Sequence, residues 1–239
     1  MLKKDQLETL VIKSQTSKKN VYREYCQHLF LSFLYQEKEA EMMLFKGGTA
    51  LKIAYQSPRY SEDLDFSLLK ISFSQLESLL LTITEKFEKT NLHSSITESK
   101  KTTGGFLAKL TVNPHQEKIQ LLIQGSKRRI ADQKADIKLI KNDFIPAYTV
   151  LLLSEKELIE EKIQAALTRN KLRDFFDVYY LLRSGKVPVS FRASLQQLSQ
   201  TIKEKKFDFN QLADFLPTSM SALAKNFESI FIAEIRKYR

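Results

Sequence analysis

The chain has 239 residues, of which 43% are hydrophobic, so it can bury a sizeable core and has the composition of an ordinary soluble domain. Its apolar runs are far too short to span a bilayer, and no uninterrupted apolar stretch follows Lys3 and Lys4 as it would in a secretory signal. The single cysteine excludes an internal disulfide, and the three scattered histidines lack the spacing of zinc ligands. We therefore expect a cytoplasmic protein with no membrane partner.

The formal net charge of +10 favours a polyanionic partner, and nucleic acid is the commonest one. The basic residues form separated clusters, and each cluster by itself is more often a solvated loop or helix face than a contact. The cluster Lys127-Arg128-Arg129 follows the strand-like segment 118–124. It is therefore the best candidate to hold RNA phosphates beside a sheet.

Hydrophobic periodicity predicts an α/β (α+β) chain that begins with helices, alternates strands and helices, and then becomes helical. Helices are predicted at 5–13, 21–38, 49–56 and 74–89, the last with Ser74 as its N-cap. Strands are predicted at 43–46, 63–69, 106–112, 118–124, 136–141 and 148–152. Beyond 155 we expect helices with breaks at 185–188 and near Pro217. Residues 1–150 would form a core with N-terminal helices, and residues 151–239 a mostly helical C-terminal region.

The most informative segment joins a glycine turn to a pair of carboxylates. Gly47-Gly48-Thr49 directly precedes a helical pattern, and a glycine turn that opens a helix offers backbone N–H groups to an anion. Asp63 and Asp65 lie in a strand-like run, where alternation places both carboxylates on one face, about 7 Å apart. Such oxygen ligands suit a hard cation such as Mg²⁺. Either motif alone is common in turns and surface loops, whereas together they indicate a phosphate- and metal-binding site for nucleotide transfer.

A second set of candidate residues lies in the predicted helical region. Lys162 falls on the apolar stripe of the helix 155–169. It could extend its ammonium to water, or it could meet an anion such as a triphosphate. Asp174 and Asp177 share one helix face. Asp174 could cap its helix, and Asp177 could pair with Arg173 or Lys162.

Two segments of the chain resemble a known family. The first is KGGTAL at 46–51 with RYSEDLDF at 59–66, and the second is residues 153–162 followed by RDFFDVY at 173–179. In sequence and order they resemble the AbiEii/AbiGii-type nucleotidyltransferases, which are toxins of bacterial abortive-infection and toxin–antitoxin systems with a DNA polymerase β-like core. The resemblance covers about residues 25–185.

The resemblance implies a polymerase β-like core with a mixed sheet and a helical C-terminal region that completes the active site. It implies Mg²⁺- or Mn²⁺-dependent transfer of a nucleoside monophosphate from an NTP to an RNA hydroxyl, with tRNA as the acceptor and a cognate antitoxin protein as a partner. The catalytic residues would be Asp63, Asp65, Lys162 and Asp174. The metal ligands among them would be Asp63 and Asp65, and the NTP would be held by Gly47, Gly48, Thr49 and Lys162.

One departure from the family pattern bears on catalysis. Many polymerase β-like enzymes carry a third carboxylate on a later strand, whereas this chain has Leu122 where several relatives carry aspartate. That carboxylate would deprotonate the acceptor hydroxyl. Asp174 or Glu117 could take this role, or a metal-lowered hydroxyl pKa could suffice. Two other functions stay open: a small-molecule nucleotidyltransferase, and a catalytically impaired NTP- or RNA-binding module.

Overall fold

The computed structural model describes residues 2–127, 135–169 and 171–238. Internal contacts divide the chain into two compact units. The sheet unit consists of Met1–Gln56 and Tyr60–Ser154, and the helical unit consists of Ser57–Arg59 and Glu155–Arg239. Within the described residues, no helix is long and apolar enough to cross a membrane.

The sheet unit combines helices with a single sheet. Its helices are α1 Lys4–Ser14, α2 Lys18–Leu34, α3 Gly47–Tyr55 and α4 Phe73–Lys89. Its strands are β1 Met43–Lys46, β2 Asp63–Leu68, β3 Ser94–Thr102, β4 Gly105–Val112, β5 Ile119–Lys127, β6 Ala135–Ile140 and β7 Tyr148–Leu153. The strands form one sheet in the order β3-β4-β5-β2-β1-β7-β6. β2 runs parallel to β5 and β1 runs parallel to β7, while the other neighbours are antiparallel. The predicted mixed sheet is confirmed.

The two faces of β2 differ in burial, as its alternating sequence dictates. Leu64, Phe66 and Leu68 are buried, and the ring of Phe66 packs against that of Phe45 with centroids 5.6 Å apart. Asp63 and Asp65 alternate with these residues and are half-buried. The strand therefore presents both carboxylates on its less buried face, while its apolar face anchors it in the core.

The helical unit contains α5 Glu155–Arg169, α6 Leu172–Arg183, α7 Arg192–Glu204, α8 Asn210–Ala213, α9 Ser221–Lys225 and α10 Phe227–Arg236. Aromatic rings form much of its core: Phe175 and Phe176 of α6 pack against rings of α10 with centroids 5.7–5.8 Å apart. Helix α6 ends at Arg183, just before the predicted break at 185–188. Gly185 adopts the left-handed conformation (φ +64°), and its N–H bonds to the carbonyl of Leu182.

One local prediction was wrong, and one strand was not predicted. The N-cap of α4 is Ser72, not Ser74: Ser72 Oγ accepts from the N–H of Gln75, whose side chain accepts from the N–H of Ser72. Strand β3 was not predicted, because its nine residues contain one large apolar side chain, Ile96. It lies at an edge of the sheet, where a strand needs no continuous apolar face.

Candidate active site

The carboxylate pair of β2 lies in the middle of the sheet, between β5 and β1. In the parallel ladder Asp63 is opposite Leu122 and Asp65 is opposite Gln124. Directly paired residues project from the same face, so the strand position beside Asp63 carries a leucine where a third carboxylate would stand. On the other side Asp65 is opposite Lys46.

These residues fit a divalent cation bound with its substrate. Within residues 2–127, 135–169 and 171–238, no three His, Cys, Asp or Glu side chains are grouped so that they could hold a metal by themselves. Mg²⁺, however, commonly binds through one or two carboxylates and completes its shell with water and substrate phosphates. Asp63 and Asp65, half-buried on one strand face, match that pattern.

The glycine turn lies directly against the carboxylate of Asp65. Gly47 is the first residue of α3 and has φ +84°, a conformation that side chains rarely adopt. A methyl group at this position would lie 2.9 Å from Cβ of Asp65 and overlap its Oδ2. Glycine is therefore required twice, for the backbone conformation and for the approach of the helix to Asp65. The first-turn N–H groups of α3 lack partners within the helix, so the turn is suited to bind an anion beside the carboxylates.

Thr49 has a structural contact that its sequence motif does not reveal. It is fully buried, and its hydroxyl donates to the backbone carbonyl of Asp63. The hydroxyl thus fastens the first turn of α3 to the start of β2. Gly48, also buried, lies between Gly47 and Thr49.

In the helical unit Lys162 takes part in a buried ion network. Its ammonium donates to Oδ2 of Asp177 at 2.7 Å. Arg59 donates from Nε to Oδ1 of Asp177 at 2.7 Å and from a terminal nitrogen to Oδ2 at 3.0 Å. All three side chains are at most 10% exposed. The alternative in which Asp177 pairs with Lys162 is confirmed, and the second cation is Arg59 rather than Arg173.

The charges around Asp177 determine its protonation. Burial by itself would raise the pKa of Asp177, but the cations of Arg59 and Lys162 outweigh it and hold the pKa below the usual value. Asp177 is therefore ionised, and its carboxylate contacts two buried cations. Lys162 also interacts electrostatically with the nearby carboxylate of Asp174.

Asp174 has the opposite environment. It is 5% exposed, and its Oδ2 has no hydrogen-bond partner among the described residues. Burial raises the pKa of Asp174 above the usual value, although the nearby Lys162 acts against this shift and Asp177 adds to it. An aspartate with a desolvated, unsatisfied oxygen costs stability, and such strain is common where a side chain serves a ligand.

We expect Asp174→Asn to raise the free energy of unfolding at neutral pH, because the native fold holds a charged carboxylate in surroundings that disfavour charge. The folded pKa lies above the unfolded value of about 3.9. The contribution of this carboxyl group to stability is therefore fully present below the unfolded pKa and is lost as the pH rises through the folded pKa. The advantage of the amide should thus disappear in acid.

Urea unfolding at pH 7 and below pH 4 measures this effect. Asp208→Asn is the matched control, because Asp208 is exposed in the same unit and its Oδ1 accepts from the N–H of Asn210, a bond that the amide can keep. An Asp174→Asn protein less stable than wild type at pH 7 would contradict the destabilising role of this carboxylate.

The structure thus places the predicted site residues in two sets. Gly47, Gly48 and Thr49 lie with Asp63 and Asp65 in the sheet unit, and Lys162 lies with Asp174 in the helical unit. Lys127 is exposed at the end of β5, whereas Arg128 and Arg129 lie outside the described residues. The sequence analysis assigned no function to Arg59. The available signal was its position in the motif segment RYSEDLDF, four residues before Asp63.

Comparison with known proteins decides the family. A family model described as nucleotidyl transferase AbiEii toxin, Type IV TA system, matches residues 29–234. The chain belongs to the AbiEii nucleotidyltransferase toxin family. This confirms the resemblance inferred from the two motifs and extends it through the helical unit. Membership implies a nucleotidyltransferase and an antitoxin partner. Among curated proteins no significant match is found.

Solved structures share the fold of this AbiEii family member. MenT4, a nucleotidyltransferase toxin from Mycobacterium tuberculosis H37Rv, is 15% identical with a TM-score of 0.69, covering 100% of this chain and 93% of that one. A putative nucleotidyltransferase from H. pylori is 19% identical, with a TM-score of 0.65 and coverage of 93% and 95%. JHP933 from Helicobacter pylori is 19% identical, with a TM-score of 0.63 and coverage of 93% of each chain. The fold class predicted from the sequence is confirmed.

Proposed function

We propose that this protein transfers a nucleoside monophosphate from an NTP to a hydroxyl of RNA, with tRNA as the acceptor class, and releases pyrophosphate. The observation that carries the proposal is the contact between Gly47 and the carboxylate of Asp65. It brings the N-terminus of α3, a natural phosphate-binding element, against the strand that bears both candidate metal ligands. Family membership supports the reaction class.

In the sheet unit, Asp63 and Asp65 would hold Mg²⁺ or Mn²⁺. When bound, such an ion neutralises charge on the transferring phosphoryl group and lowers the pKa of a coordinated hydroxyl. The backbone N–H groups of Gly47, Gly48 and Thr49 would bind the β- and γ-phosphates. Because the Thr49 hydroxyl donates to the carbonyl of Asp63, its side chain would keep the phosphate-binding turn in register with β2.

In the helical unit, Lys162 would neutralise the triphosphate. Its burial and its 2.7 Å contact with Asp177 support this role, since they hold the ammonium in a fixed position. A buried ammonium that is held in place stabilises developing phosphate charge more strongly than a mobile one in water. Asp174 would position Lys162 or assist the acceptor hydroxyl, and its unsatisfied Oδ2 leaves an acceptor site for either partner.

We expect Lys162→Met to lower kcat/KM for the NTP by about 100-fold, a typical loss when one positioned electrostatic contact to the transition state is removed. The fold should survive, because Arg59 still donates to both oxygens of Asp177. The rate of pyrophosphate release measures the effect.

Lys186→Met is the matched control. Lys186 lies in the same unit and also donates to a carboxylate, Oε2 of Glu155 at 2.7 Å, so this variant loses the same charge and a similar ion pair. It should release pyrophosphate at the wild-type rate. If Lys162→Met and Lys186→Met behaved alike, the triphosphate role of Lys162 would be wrong.

The proposed acceptor is RNA because the chain carries a formal net charge of +10. Lys127, Arg128 and Arg129 would contact RNA phosphates, and Lys127 is exposed at the end of a strand adjacent to β2. An RNA acceptor also places the reaction in the cytoplasm, where a cognate antitoxin would control it.

A competition between acceptor classes tests this choice. Pyrophosphate release by the purified protein with Mg²⁺ and NTP should increase on addition of tRNA and stay unchanged on addition of a cationic aminoglycoside. Stimulation by the aminoglycoside alone would instead favour a small-molecule nucleotidyltransferase.

One observation favours a second candidate function, an NTP- or RNA-binding module with impaired catalysis. Leu122 lies directly opposite Asp63 in the ladder, so no carboxylate of β5 stands beside the pair to take the acceptor proton. Saturable NTP binding without pyrophosphate release, with or without RNA, would identify this alternative.

A further inference from the structure

Lys46 is a buried lysine next to the carboxylate pair, and the proposed mechanism gives it no role. It is the last residue of β1, is 8% exposed, and lies opposite Asp65 in the antiparallel ladder. Directly opposed residues project from the same face with Cβ atoms about 4.5–5.5 Å apart. The lysine stem therefore starts beside Asp65 on the face that bears both carboxylates.

The ammonium of Lys46 extends across β2 toward the next strand. Nζ donates to Oγ of Ser126 at 2.9 Å, and Ser126 is paired with Ser67, two residues after Asp65. The side chain thus spans from β1 over β2 to β5 without leaving the carboxylate face. With Gly47 in contact with Oδ2 of Asp65, two consecutive residues of the motif adjoin the same carboxylate.

A buried ammonium requires compensating negative charge, because desolvation of an unpaired cation is very costly. The other residues of β1 are Met43, Leu44 and Phe45, all buried and apolar, so packing of the strand does not call for a charge at its end. The negative groups projecting from the same face of the neighbouring strand are Asp63 and Asp65. They repel each other, and a fixed cation beside them removes that repulsion.

We propose that Lys46 is a positioning residue that acts as the resident counter-cation of Asp63 and Asp65 and competes with the divalent ion for them. This inference rests on the proposed function, because it takes these carboxylates as the metal site. Without metal, Lys46 offsets the negative charge of the pair and holds both carboxylates in place. A divalent ion bound to the same carboxylates would be repelled by the ammonium, so Lys46 weakens metal affinity. In the absence of the ion, the same ammonium stabilises the protein.

The test measures Mn²⁺ binding to the nucleotide-free protein by electron paramagnetic resonance, which detects the free ion. Lys46→Met should bind Mn²⁺ about tenfold more tightly than wild type, because one positive charge near the ion is removed. Its metal-free thermal midpoint should fall and recover on addition of Mn²⁺. Lys46→Gln should behave in the same way if the methionine variant does not fold. Lys46→Arg retains the charge and should stay within about twofold of wild type.

Two controls separate the possible causes. Lys86→Met carries the same loss of charge at a partly buried lysine of the sheet unit that is paired with Glu37, and its Mn²⁺ affinity should not change. Asp65→Asn reports the metal site: if wild type and Asp65→Asn bind Mn²⁺ equally, the metal site and the proposed function are wrong. If Asp65→Asn loses Mn²⁺ while Lys46→Met binds like wild type or more weakly, the metal site stands and the role of Lys46 is overturned.

Discussion

Asp65→Asn should reduce nucleotide transfer by at least about 100-fold, because a neutral amide is a poor metal ligand. Loss of the bound ion removes several kcal/mol of transition-state stabilisation. The variant should still fold. The amide fills the same volume beside Gly47, and Asp63 remains on the same strand face to balance Lys46. Transfer of labelled nucleotide at saturating NTP, together with a thermal melt, measures both expectations.

Asp143→Asn is the control for this variant. Asp143 lies in the sheet unit, its side chain is 58% exposed, and it pairs with the exposed Lys13. Exposed pairs contribute little to stability, so transfer and melting should match wild type. Near-normal transfer by Asp65→Asn would show that the carboxylate pair of β2 is not the metal site.

Asp177→Ala should lower the free energy of unfolding by about 3–5 kcal/mol, because it leaves Arg59 and Lys162 buried without the carboxylate that both contact. The pKa of Asp177 is depressed in the folded state. Its stabilising contribution is therefore present above the unfolded pKa and is lost as the pH falls through the folded value. The cost of the substitution should accordingly be largest at neutral pH and shrink in strong acid.

Urea unfolding at pH 7 and at pH 3 measures this difference, with Glu204→Ala as a control at an exposed acidic position of the same unit. The control should change the free energy of unfolding by less than about 0.5 kcal/mol. A loss below 1 kcal/mol for Asp177→Ala at pH 7 would mean that water reaches the network and screens it.

The sequence was sufficient wherever a feature depends on neighbouring residues. Alternation placed Asp63 and Asp65 on one face of β2, and the glycine pair marked the start of α3. The apolar stripe of α5 indicated that Lys162 either reaches water or meets an anion, and Asp177, fifteen residues later, was among its candidate partners. These features follow from strand and helix periods, which a single sequence displays directly.

Features that depend on distant parts of the chain could not be predicted. Arg59 and Asp177 are 118 residues apart, and nothing in the turn around Pro58 distinguishes a buried arginine from a solvated one. The close approach of Gly47 to Asp65 likewise needs the register of β1 with β2. Strand β3 lacks an apolar pattern because it is an edge strand, so its existence depends on β4 rather than on its own composition.

The central claim is that the protein moves the α-phosphate of an NTP, with its nucleoside, onto RNA. The direct measurement incubates the purified protein with Mg²⁺, cellular RNA and each of the four NTPs in turn, labelled either at the α- or at the γ-phosphate. With wild type, at least one NTP should transfer the α-label to an RNA band, and the γ-label should leave as pyrophosphate. Asp65→Asn should give no labelled RNA and no labelled pyrophosphate. RNA that acquires the γ-label, or no labelled RNA with any NTP, would contradict the proposed nucleotidyl transfer.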